Sequence, residues 1–386
     1  MNKVPKGYKM TEVGVIPEDW AVKKLEFVAP LQRGFDLPNP QLKEGIYPVV
    51  YSNGIGNYHN SFMVKAPGVI TGRSGTLGKV NYVTEDYWPH NTALWVTKFF
   101  NNHPLFIYYL MIRTKLERFG TGSGVPTLNR NDVHDFKVPL PSLPEQISIA
   151  ETLSDTDSLI GKLEELITKK RQTKQGAMQE LLTGKKRLPG FSGKWEEKTL
   201  GEIGECLIGL TYKPENVKES GLLVLRSSNI KDGVLKFENN VYVDVEVPEK
   251  LIVKEGDILI CVRNGSRDLI GKCALIDKKT AGKTFGAFMA LYRSPINHFI
   301  FHQFNSFLIK KQIDENIGAT INQITNKNLN SFKVPLPENT TEQTAIADVL
   351  NDMDAEIERL EKKLEKYKMV KTGMMQELLT GKTRLI

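Results

Sequence analysis

The sequence of 386 residues contains only three cysteines and six histidines, which limits the metal and redox chemistry available to it. Cys206, Cys261 and Cys273 form no Cys-x-x-Cys pair and lie beside no histidine cluster, so neither a zinc site nor a disulfide framework is predicted. His298 and His302 are one helical turn apart but have no carboxylate residue close by in sequence. We therefore predict no metal site in this chain.

Long apolar runs are also missing. No stretch approaches the roughly 18 residues that a membrane-spanning helix needs. The N-terminus MNKVPKGYKMTEVGVIPEDW is charged and broken by prolines, and it lacks the apolar segment of a secretory signal. We expect a cytoplasmic location and no membrane partner.

Catalytic motifs are absent as well. The segment LLTGKT (378–383) ends like a phosphate-binding loop, but the position that should be glycine is Gln376, and no strand precedes it. The glycine-rich GTGSG (120–124) follows a helical stretch, which is the wrong order for a dinucleotide-binding turn. The sequence also lacks the Asn-Pro-Pro-aromatic element of amino-methyltransferases and the acidic clusters of nucleases. We therefore expect no catalysis from this chain alone.

Positive charge is present in modest excess and is unevenly distributed. The net charge is +7, and residues 1–144 carry 16 basic against 11 acidic side chains, whereas residues 342–386 carry 8 against 9. A basic excess suits a polyanionic partner such as nucleic acid, although many ordinary proteins are equally basic.

An internal repeat organises the chain. MQELLTGKKRL (178–188) recurs as MQELLTGKTRL (375–385), EQISIAETLSDTDSLI (145–160) aligns with EQTAIADVLNDMDAEI (342–357), and FKVPLP occurs at 136–141 and 332–337. Each copy reads as a strand end with prolines, then Glu-Gln, then a helix of about 38 residues. Gly184 and Gly381 are placed to end these helices in the left-handed conformation.

Apolar residues along each predicted helix alternate in steps of four and three, as in a coiled-coil seam. Two equivalent seams are most simply satisfied by packing on each other as an antiparallel coiled coil. An equally open interpretation of the two helices is a helical hairpin that acts only as a spacer. The predicted seam residues are Ile149, Leu153, Ile160, Leu163, Ile167, Ile346, Leu350, Met353, Ile357, Leu360 and Leu364.

Before each helical repeat lies a longer segment of short apolar runs, glycine turns and aromatics. The two segments share a skeleton: PGVITGRSGTLGKV (67–80) and EGDILICVRNGSRDLIGKC (255–273) each read as a buried strand, a glycine turn with an arginine, and a further strand. In this comparison Arg73-x-Gly75 parallels Arg263-x-Gly265. The N-terminal VGVIPEDW resembles PGFSGKW (189–195), which follows the first repeat. We therefore expect the two ends of the chain to lie near corresponding points about a pseudo-twofold axis.

These patterns predict an α+β protein with two mixed α/β domains separated by two long helices packed as an antiparallel coiled coil. The predicted boundaries are 1–141 for the first domain, 142–186 for the first helical region, 187–337 for the second domain and 338–386 for the second helical region.

The chain resembles the specificity subunits of type I restriction-modification systems. The similarity is carried by GYKMTEVGVIPEDWAVKKL, by VPLPSLPEQISIAETLSDTD with MQELLTGKKRL, and by VPLPENTTEQTAIADVL with MQELLTGKTRL. The resemblance implies two target-recognition domains that each read one half of a split double-stranded DNA sequence. It implies two modification (methyltransferase) subunits and two ATP-dependent restriction (translocase/nuclease) subunits as partners. S-adenosylmethionine, ATP and Mg would then act in those subunits, with no cofactor in this chain. The second linker, PENTTEQ, departs from the first, PSLPEQ, which leaves the approach to the second helix open.

Candidate DNA contacts are the basic and amide residues of the glycine turns and of the polar segments before FKVPLP. Arginine can pair with guanine, and asparagine or glutamine with adenine, in the major groove. Each residue could instead be a solvated turn residue or a phosphate contact. The candidates are Arg73, Lys79, Thr127, Asn129 and Arg130 in the first domain and Arg263, Asn264, Arg267, Lys272, Asn322 and Gln323 in the second, with Arg33 and Lys213 as weaker ones.

Two other functions remain open at this level. A coiled-coil adaptor joining two protein-binding domains would need no nucleic acid, whereas the Arg-Gly turns and the basic first segment favour DNA. An autonomous enzyme is disfavoured because the catalytic motifs are missing. For a DNA reader, a stiff helix pair predicts two half-sites about one helical turn, ~34–36 Å, apart.

Overall fold

A computed structural model describes residues 4–122, 124–317 and 322–385. The chain divides into two compact units: Met1–Glu165 together with Lys362–Ile386, and Leu166–Glu361. Each unit contains one mixed α/β domain and a part of each long helix. The predicted boundaries at 141, 186 and 337 stay predictions, because the division into units cuts through the helices.

The first unit begins with short strands and adds its helices after the main sheet. Its strands are β1 (Tyr8–Thr11), β2 (Gly14–Pro17), β3 (Ala21–Lys24), β4 (Leu31–Arg33), β5 (Tyr47–Tyr51), β6 (Gly54–His59), β7 (Gly68–Gly72), β8 (Val80–Val83), β9 (Trp88–Pro89), β10 (Ala93–Val96), β11 (Gly120–Thr121), β12 (Thr127–Leu128) and β13 (Lys137–Leu140). Its helices are α1 (Pro104–Thr114), α2 (Arg130–His134), the first part of α3 (Leu143–Leu181) and, from the end of the chain, the last part of the second long helix.

The central sheet of the first unit has the strand order β4-β10-β7-β8 and is antiparallel throughout. A second sheet, β6-β5-β9, combines an antiparallel and a parallel pairing. The strand β7 is buried along its whole length, since it lies inside the sheet and its apolar run GVITG packs on both faces. The main core combines this sheet with α1, whose buried residues include Phe106, Tyr109 and Leu110.

The second unit repeats this plan with a longer insertion of small strands. Its strands are β14 (Trp195–Thr199), β15 (Glu205–Ile208), β16 (Val217–Lys218), β17 (Leu222–Leu225), β18 (Ile230–Lys231), β19 (Val234–Leu235), β20 (Val241–Val243), β21 (Ile258–Cys261), β22 (Cys273–Leu275), β23 (Thr284–Phe285), β24 (Met289–Arg293) and β25 (Lys333–Pro337). Its helices are α4 (Leu200–Ile203), α5 (Asn297–Phe304), α6 (Phe307–Asn316), α7 (Asn326–Ser331) and part of α8 (Thr340–Leu378).

The central sheet of the second unit corresponds strand by strand to that of the first. The order β15-β24-β21-β22 matches β4-β10-β7-β8, and the parallel pair β17-β23 matches β5-β9. The edge pairs β13-β3 and β14-β25 are also equivalent. The shared skeleton seen in the sequence is therefore a shared fold, and the mixed α/β character predicted for both domains is confirmed.

The helices α3 and α8 each contain 39 residues, close to the predicted 38. In the first unit Lys371 pairs with Asp157 at 2.5 Å, and Lys368 with Glu164 at 2.9 Å. Since ascending positions on one helix pair with descending positions on the other, these segments are antiparallel. The second unit has the same arrangement, with ion pairs Lys174–Asp354 at 2.5 Å and Lys170–Glu356 at 2.7 Å.

Most of the predicted seam is buried. Ile149 and Leu153 belong to the core of the first unit, and Ile346 and Leu350 to the core of the second, so both helix starts pack on their own domain. The coiled-coil geometry of the whole pair stays a prediction. Buried positions are Ile149, Leu153, Leu163, Ile167, Ile346, Leu350, Ile357 and Leu364, while Ile160, Met353 and Leu360 are half-buried.

The two repeated helix ends dock onto tryptophans in the same way. Gly184 (φ +70°) and Gly381 (φ +71°) adopt the predicted left-handed conformation. A Cβ on Gly184 would lie 2.9 Å from the Trp195 ring, and one on Gly381 would lie 2.5 Å from Pro17 and 3.2 Å from Trp20. Glycine is therefore required both for the turn and for the close approach. The N-terminal segment with Trp20 thus packs on the second helix end as the segment with Trp195 packs on the first.

Beyond each glycine an arginine forms a buried ion pair, which we call the helix-end clasp. In the second unit the clasp is Arg187, whose Nε and Nη2 donate to both oxygens of Glu342 at 2.5 and 2.6 Å. In the first unit it is Arg384, which donates to both oxygens of Glu145 at 2.6 and 2.9 Å. The hydrogen bonds that Arg384 donates to the carboxylates of Glu145 and Asp19 raise the pKa of the guanidinium. The Glu-Gln pairs noted in the sequence thus supply the buried acceptors of both clasps.

Among the helices of the described ranges, none is long and apolar enough to cross a membrane.

Candidate nucleic-acid interface

Polar loops of the first unit converge at one edge of its central sheet. The pairings Leu94–Arg33 and Ala93–Gly72 place the ends of β4 and β7 beside the start of β10. Gly72 permits the sharp turn that follows, because a Cβ there would lie 1.8 Å from the carbonyl oxygen of Thr76. Buried strands thereby fix the positions of exposed loops, as is usual for binding sites on a rigid scaffold.

The turn after β7 and the segment around Thr127 are brought together, although 50 residues separate them. Ser74 forms a bridge with Thr127, the Leu128 N–H donates to the Arg73 carbonyl at 2.7 Å, and the Gly75 N–H donates to the Pro126 carbonyl at 3.1 Å. The two groups of predicted DNA contacts in this domain therefore form one surface, which we call the first recognition edge. Its loops are residues 52–53, 73–79, 90–92 and 126–130.

Several predicted side chains on the first recognition edge already have protein partners. Arg73 Nη1 donates to the Asn91 carbonyl at 3.0 Å, and Lys79 Nζ donates to the Asn53 carbonyl at 2.5 Å. The Asn129 side chain accepts the Asn131 N–H at 3.0 Å and so caps α2. Arg130, in contrast, is exposed and has no hydrogen bond or ion pair within the described residues. Of the candidates in this domain, Arg130 has the side-chain hydrogen-bond donors that are most available for a contact with DNA.

Asn91, which was not among the candidates from the sequence, and Arg33, a weaker candidate, meet at Asp36. Asp36 accepts hydrogen bonds from Arg33 Nη2 at 3.0 Å and from the Asn91 side-chain amide. The bond from Asn91, with the charge of Arg33, lowers the pKa of the Asp36 carboxyl. Asn91 thereby joins Asp36 to Arg73. The His90-Asn91-Thr92 turn before β10 is a polar turn signal that could have identified it.

The second unit forms the equivalent surface, the second recognition edge. Arg263 forms a bridge with Gln323, and the Asn264 N–H donates to the Asn322 carbonyl at 3.3 Å. The Asn322 side chain donates to the Gly265 carbonyl at 3.0 Å. The edge consists of residues 227–228, 262–272, 286–288 and 322–326, and it gathers the candidates predicted for this domain. Residues 318–321, at the start of the predicted polar segment, lie outside the described residues, as does Ser123 in the first domain.

The predicted side chains on the second recognition edge differ in the hydrogen bonds that they form with the rest of the protein. Asn264 donates to Ser227 Oγ at 3.1 Å and accepts the Ser266 N–H at 3.0 Å. Lys272 Nζ donates to the Ser227 carbonyl at 3.3 Å, and Arg267 Nη2 donates to the Asp314 carbonyl at 3.0 Å. Asn264 and Lys272 thus support the loop, while Arg267 remains exposed.

The predicted equivalence of Arg73 and Arg263 is wrong by one residue. Gly72 pairs with Ala93, and Cys261 pairs with the equivalent Met289, so Arg73 corresponds to Val262 and Ser74 corresponds to Arg263. The Leu128 N–H bonds the Arg73 carbonyl as the Ile324 N–H bonds the Val262 carbonyl, which confirms the register. Neighbouring residues of a strand point to opposite faces, so Arg73 turns inward to Asn91 where Arg263 turns outward.

A lysine occupies an equivalent position on both recognition edges, Lys79 on the first and Lys272 on the second. Lys79 and Lys272 each follow a glycine with positive φ, at Gly78 and Gly271, and each precedes the strand at the sheet edge. Both ammonium groups donate to a carbonyl of the turn after β5 or β17. Lys213, a weaker candidate, is exposed and pairs with Glu215 at 3.6 Å.

The cysteines and the buried histidine have packing roles. Cys261 and Cys273 are buried and Cys206 is half-buried, and burial raises the pKa of all three thiols. His302 is buried and its Nε2 lies 2.9 Å from the Asn351 side-chain oxygen. Within the described ranges, no group of three or more His, Cys, Asp or Glu residues could hold a metal ion.

Each recognition edge presents hydrogen-bond donors and acceptors from four loops on a common backbone framework. The side chains at equivalent positions differ, as with Ser74 and Arg263, or Thr92 and Phe288. Such an arrangement can contact the edges of base pairs with some side chains and phosphates with others.

Comparison with known proteins gives the family. The model described as "Type I restriction modification DNA specificity domain" matches residues 17–170 and 192–367. The type I restriction enzyme MjaVIII specificity subunit of Methanocaldococcus jannaschii is 29% identical over 68% of this chain and 66% of its own length. The putative type I restriction enzyme MjaX specificity subunit of the same organism is 27% identical over 98% of this chain and 97% of its own.

Solved structures agree in fold. The S subunit of a type I restriction-modification system from M. genitalium superimposes with a TM-score of 0.63 at 17% identity, over 96% of this chain and 97% of that one. A chain from a structural study of complex assembly and conformational transition of the type I R-M system has a TM-score of 0.57 at 16% identity, over 95% and 99%. With the family model matched twice, the protein belongs to the family of type I restriction-modification specificity subunits, and it contains two DNA specificity domains and serves DNA recognition and not catalysis.

Proposed function

We propose that this chain reads a bipartite double-stranded DNA target, with one half-site for each recognition edge. The supporting observation is that one backbone framework of four loops is built twice, while the side chains that it presents differ. A framework held constant with different side chains suits the reading of two different short sequences by the same docking geometry. The basic excess of residues 1–144 adds the phosphate attraction that DNA binding requires.

The same proposal extends to the partners. Two modification subunits and two restriction subunits would bind this chain, and S-adenosylmethionine, ATP and Mg would act in them. Support comes from the repeated helix ends, where Gln179 and Gln376, like Lys185 and Lys382, are identical in type and exposed in both copies. Packing within the chain does not require the exposed residues of the two helix ends to be identical. The binding of two copies of one partner subunit does require the same exposed surface twice.

The helices α3 and α8 would set the length of the unspecified spacer in the target. Each helix runs without interruption from one compact unit into the other. A helix rises ~1.5 Å per residue, and an uninterrupted helix of this length is stiff. Such helices therefore favour a fixed spacing between the two half-sites of the DNA target.

A reconstitution experiment tests the function. The chain is purified alone and together with its cognate modification subunit, each preparation is incubated with S-adenosylmethionine and genomic DNA, and methylated adenines are mapped by sequencing. The proposal expects methylation only with both proteins, at two short specified sequences separated by a fixed unspecified spacer. Methylation by the isolated chain, or methylation without a bipartite sequence, would refute it.

A further inference from the structure

One turn of the second recognition edge carries a large exposed aromatic side chain. Phe288 lies in the turn between β23 and β24 and is 56% exposed. The turn is closed by a hydrogen bond from the Met289 N–H to the Gly286 carbonyl at 2.8 Å. The Phe288 carbonyl accepts the N–H groups of Val262 and Arg263, each at 3.1 Å. The backbone therefore holds the ring in a defined place at the centre of the recognition edge.

The guanidinium of Arg263 lies over this ring. Its central carbon lies 4.8 Å from the ring centroid of Phe288. Among the described residues, none accepts a hydrogen bond or forms an ion pair with the Arg263 side chain, unlike Arg267 and Lys272 nearby. A cation held over an aromatic ring is attracted by the ring without using its hydrogen-bond donors, so the N–H groups of Arg263 remain available for bidentate pairing.

The first recognition edge has a different pair of residues at these two positions. Ser74 corresponds to Arg263 and Thr92 to Phe288. The Thr92 hydroxyl accepts the Ser52 N–H at 3.3 Å, and the neighbouring Arg73 is held by the Asn91 carbonyl. The paired arginine and phenylalanine are therefore specific to the second domain, and general packing of the fold does not require them.

We infer that Arg263 reads a guanine in the second half-site and that Phe288 is the positioning residue that holds its guanidinium for this contact. This inference rests on the proposed function. A guanidinium edge matches the O6 and N7 acceptors of guanine in the major groove, which is the commonest base-specific contact of arginine. The ring limits the rotation of the arginine side chain, so less conformational entropy is lost when the base is bound. In the complex with DNA, the exposed ring of Phe288 would also be removed from contact with water.

The test uses the complex with the modification subunit and a set of DNA duplexes in which each base pair of the second half-site is varied. The variant Phe288→Leu removes the aromatic face and keeps an apolar side chain. The variant Phe288→Tyr keeps the aromatic face. The variant Arg263→Lys keeps the positive charge and removes the planar guanidinium. We expect Phe288→Leu and Arg263→Lys to reduce discrimination for guanine at one position by roughly tenfold or more. Phe288→Tyr should keep the discrimination, and the first half-site should be read as before.

The matched control is Phe307→Leu, since Phe307 is 67% exposed in the same unit but lies outside the recognition edge. It should leave all base preferences unchanged. The inference is overturned if the second half-site contains no guanine, or if Phe288→Leu keeps full discrimination while the wild-type complex methylates a bipartite site. A wild-type complex without any bipartite target would refute the proposed function, and this inference with it.

Discussion

At the scale of single residues, Tyr109 and His302 show how one position is adapted differently in the two units. Each lies on the helix after the last strand of the central sheet and contacts a long helix. The Tyr109 hydroxyl donates to Asp157 at 2.8 Å, and burial raises its pKa. His302 Nε2 instead lies 2.9 Å from the Asn351 side-chain oxygen. A titratable group thus lies in the core of the second unit, beside the Lys174–Asp354 ion pair.

His302 makes stability depend on pH. Burial, with the positive charge of Lys174, lowers its pKa to about 4. Between pH 6.5 and 4 the unfolded chain binds a proton at this residue that the folded chain does not, so stability falls as pH falls through this window. We expect a loss of about 2 kcal/mol between pH 7.5 and 5.0 from this group, measured by urea unfolding.

The variant His302→Gln should remove this part of the pH dependence, because glutamine does not titrate. His298→Gln is the control, since His298 lies one turn earlier on the same helix and is exposed. It should keep the wild-type difference between the two pH values. An equal pH dependence in His302→Gln and in the wild-type protein would contradict the assignment.

Residue chemistry was predictable on the recognition edges, but the face on which each residue points was not. The glycine turns and polar segments named from the sequence are brought together by the structure as two surfaces, and their contact with DNA stays a prediction. The comparison of Arg73 with Arg263 was wrong by one residue, because alignment by matching letters ignores strand pairing. In a strand, a shift of one residue moves a side chain to the opposite face. The role proposed for Phe288 has no signal in the sequence, because no local pattern marks an exposed aromatic residue as the partner of an arginine.

At the scale of secondary-structure elements, the clasps show what the repeated motif does. The Arg187 guanidinium reaches Glu342, whose side chain is fully buried, and it also donates to the Gly193 carbonyl at 2.8 Å. The end of α3 is thereby fastened to the start of α8. A buried carboxylate left without its partner is costly, since its charge is then uncompensated in the protein interior.

Replacing this arginine should therefore destabilise the protein strongly. We expect Arg187→Ala to lower the free energy of unfolding by about 3–5 kcal/mol in denaturant titration. Arg171→Ala is the control, because Arg171 and its partner Glu361 are 63% and 40% exposed. Its effect should stay below about 1 kcal/mol. A similar small loss in both variants would show that the clasp is not needed to hold the helix ends.

The long helices were the most predictable elements. Their apolar steps of four and three and the glycines at 184 and 381 are local signals, and the structure confirms helices of 39 residues with left-handed ends. The clasps depend on partners 155 and 239 residues away in the chain, so they required the fold.

At the scale of the whole molecule, the chain repeats one plan of domain and helix with a different surface each time. The sheet orders, the parallel strand pairs and the helix-end docking agree between the units, whereas the recognition edges differ. The order of the plan is circular, because the N-terminal Trp20 completes the second helix end as Trp195 completes the first. A constant scaffold with two variable surfaces predicts that each domain can be exchanged without disturbing the other.

Domain exchange tests this central claim most directly. Residues 20–135 are replaced by the first domain of another family member, the chimera is combined with the modification subunit, and methylated adenines are mapped on genomic DNA. The account predicts a new bipartite target in which one half differs from the wild-type sequence and the other half is retained. A target with both halves changed would contradict it.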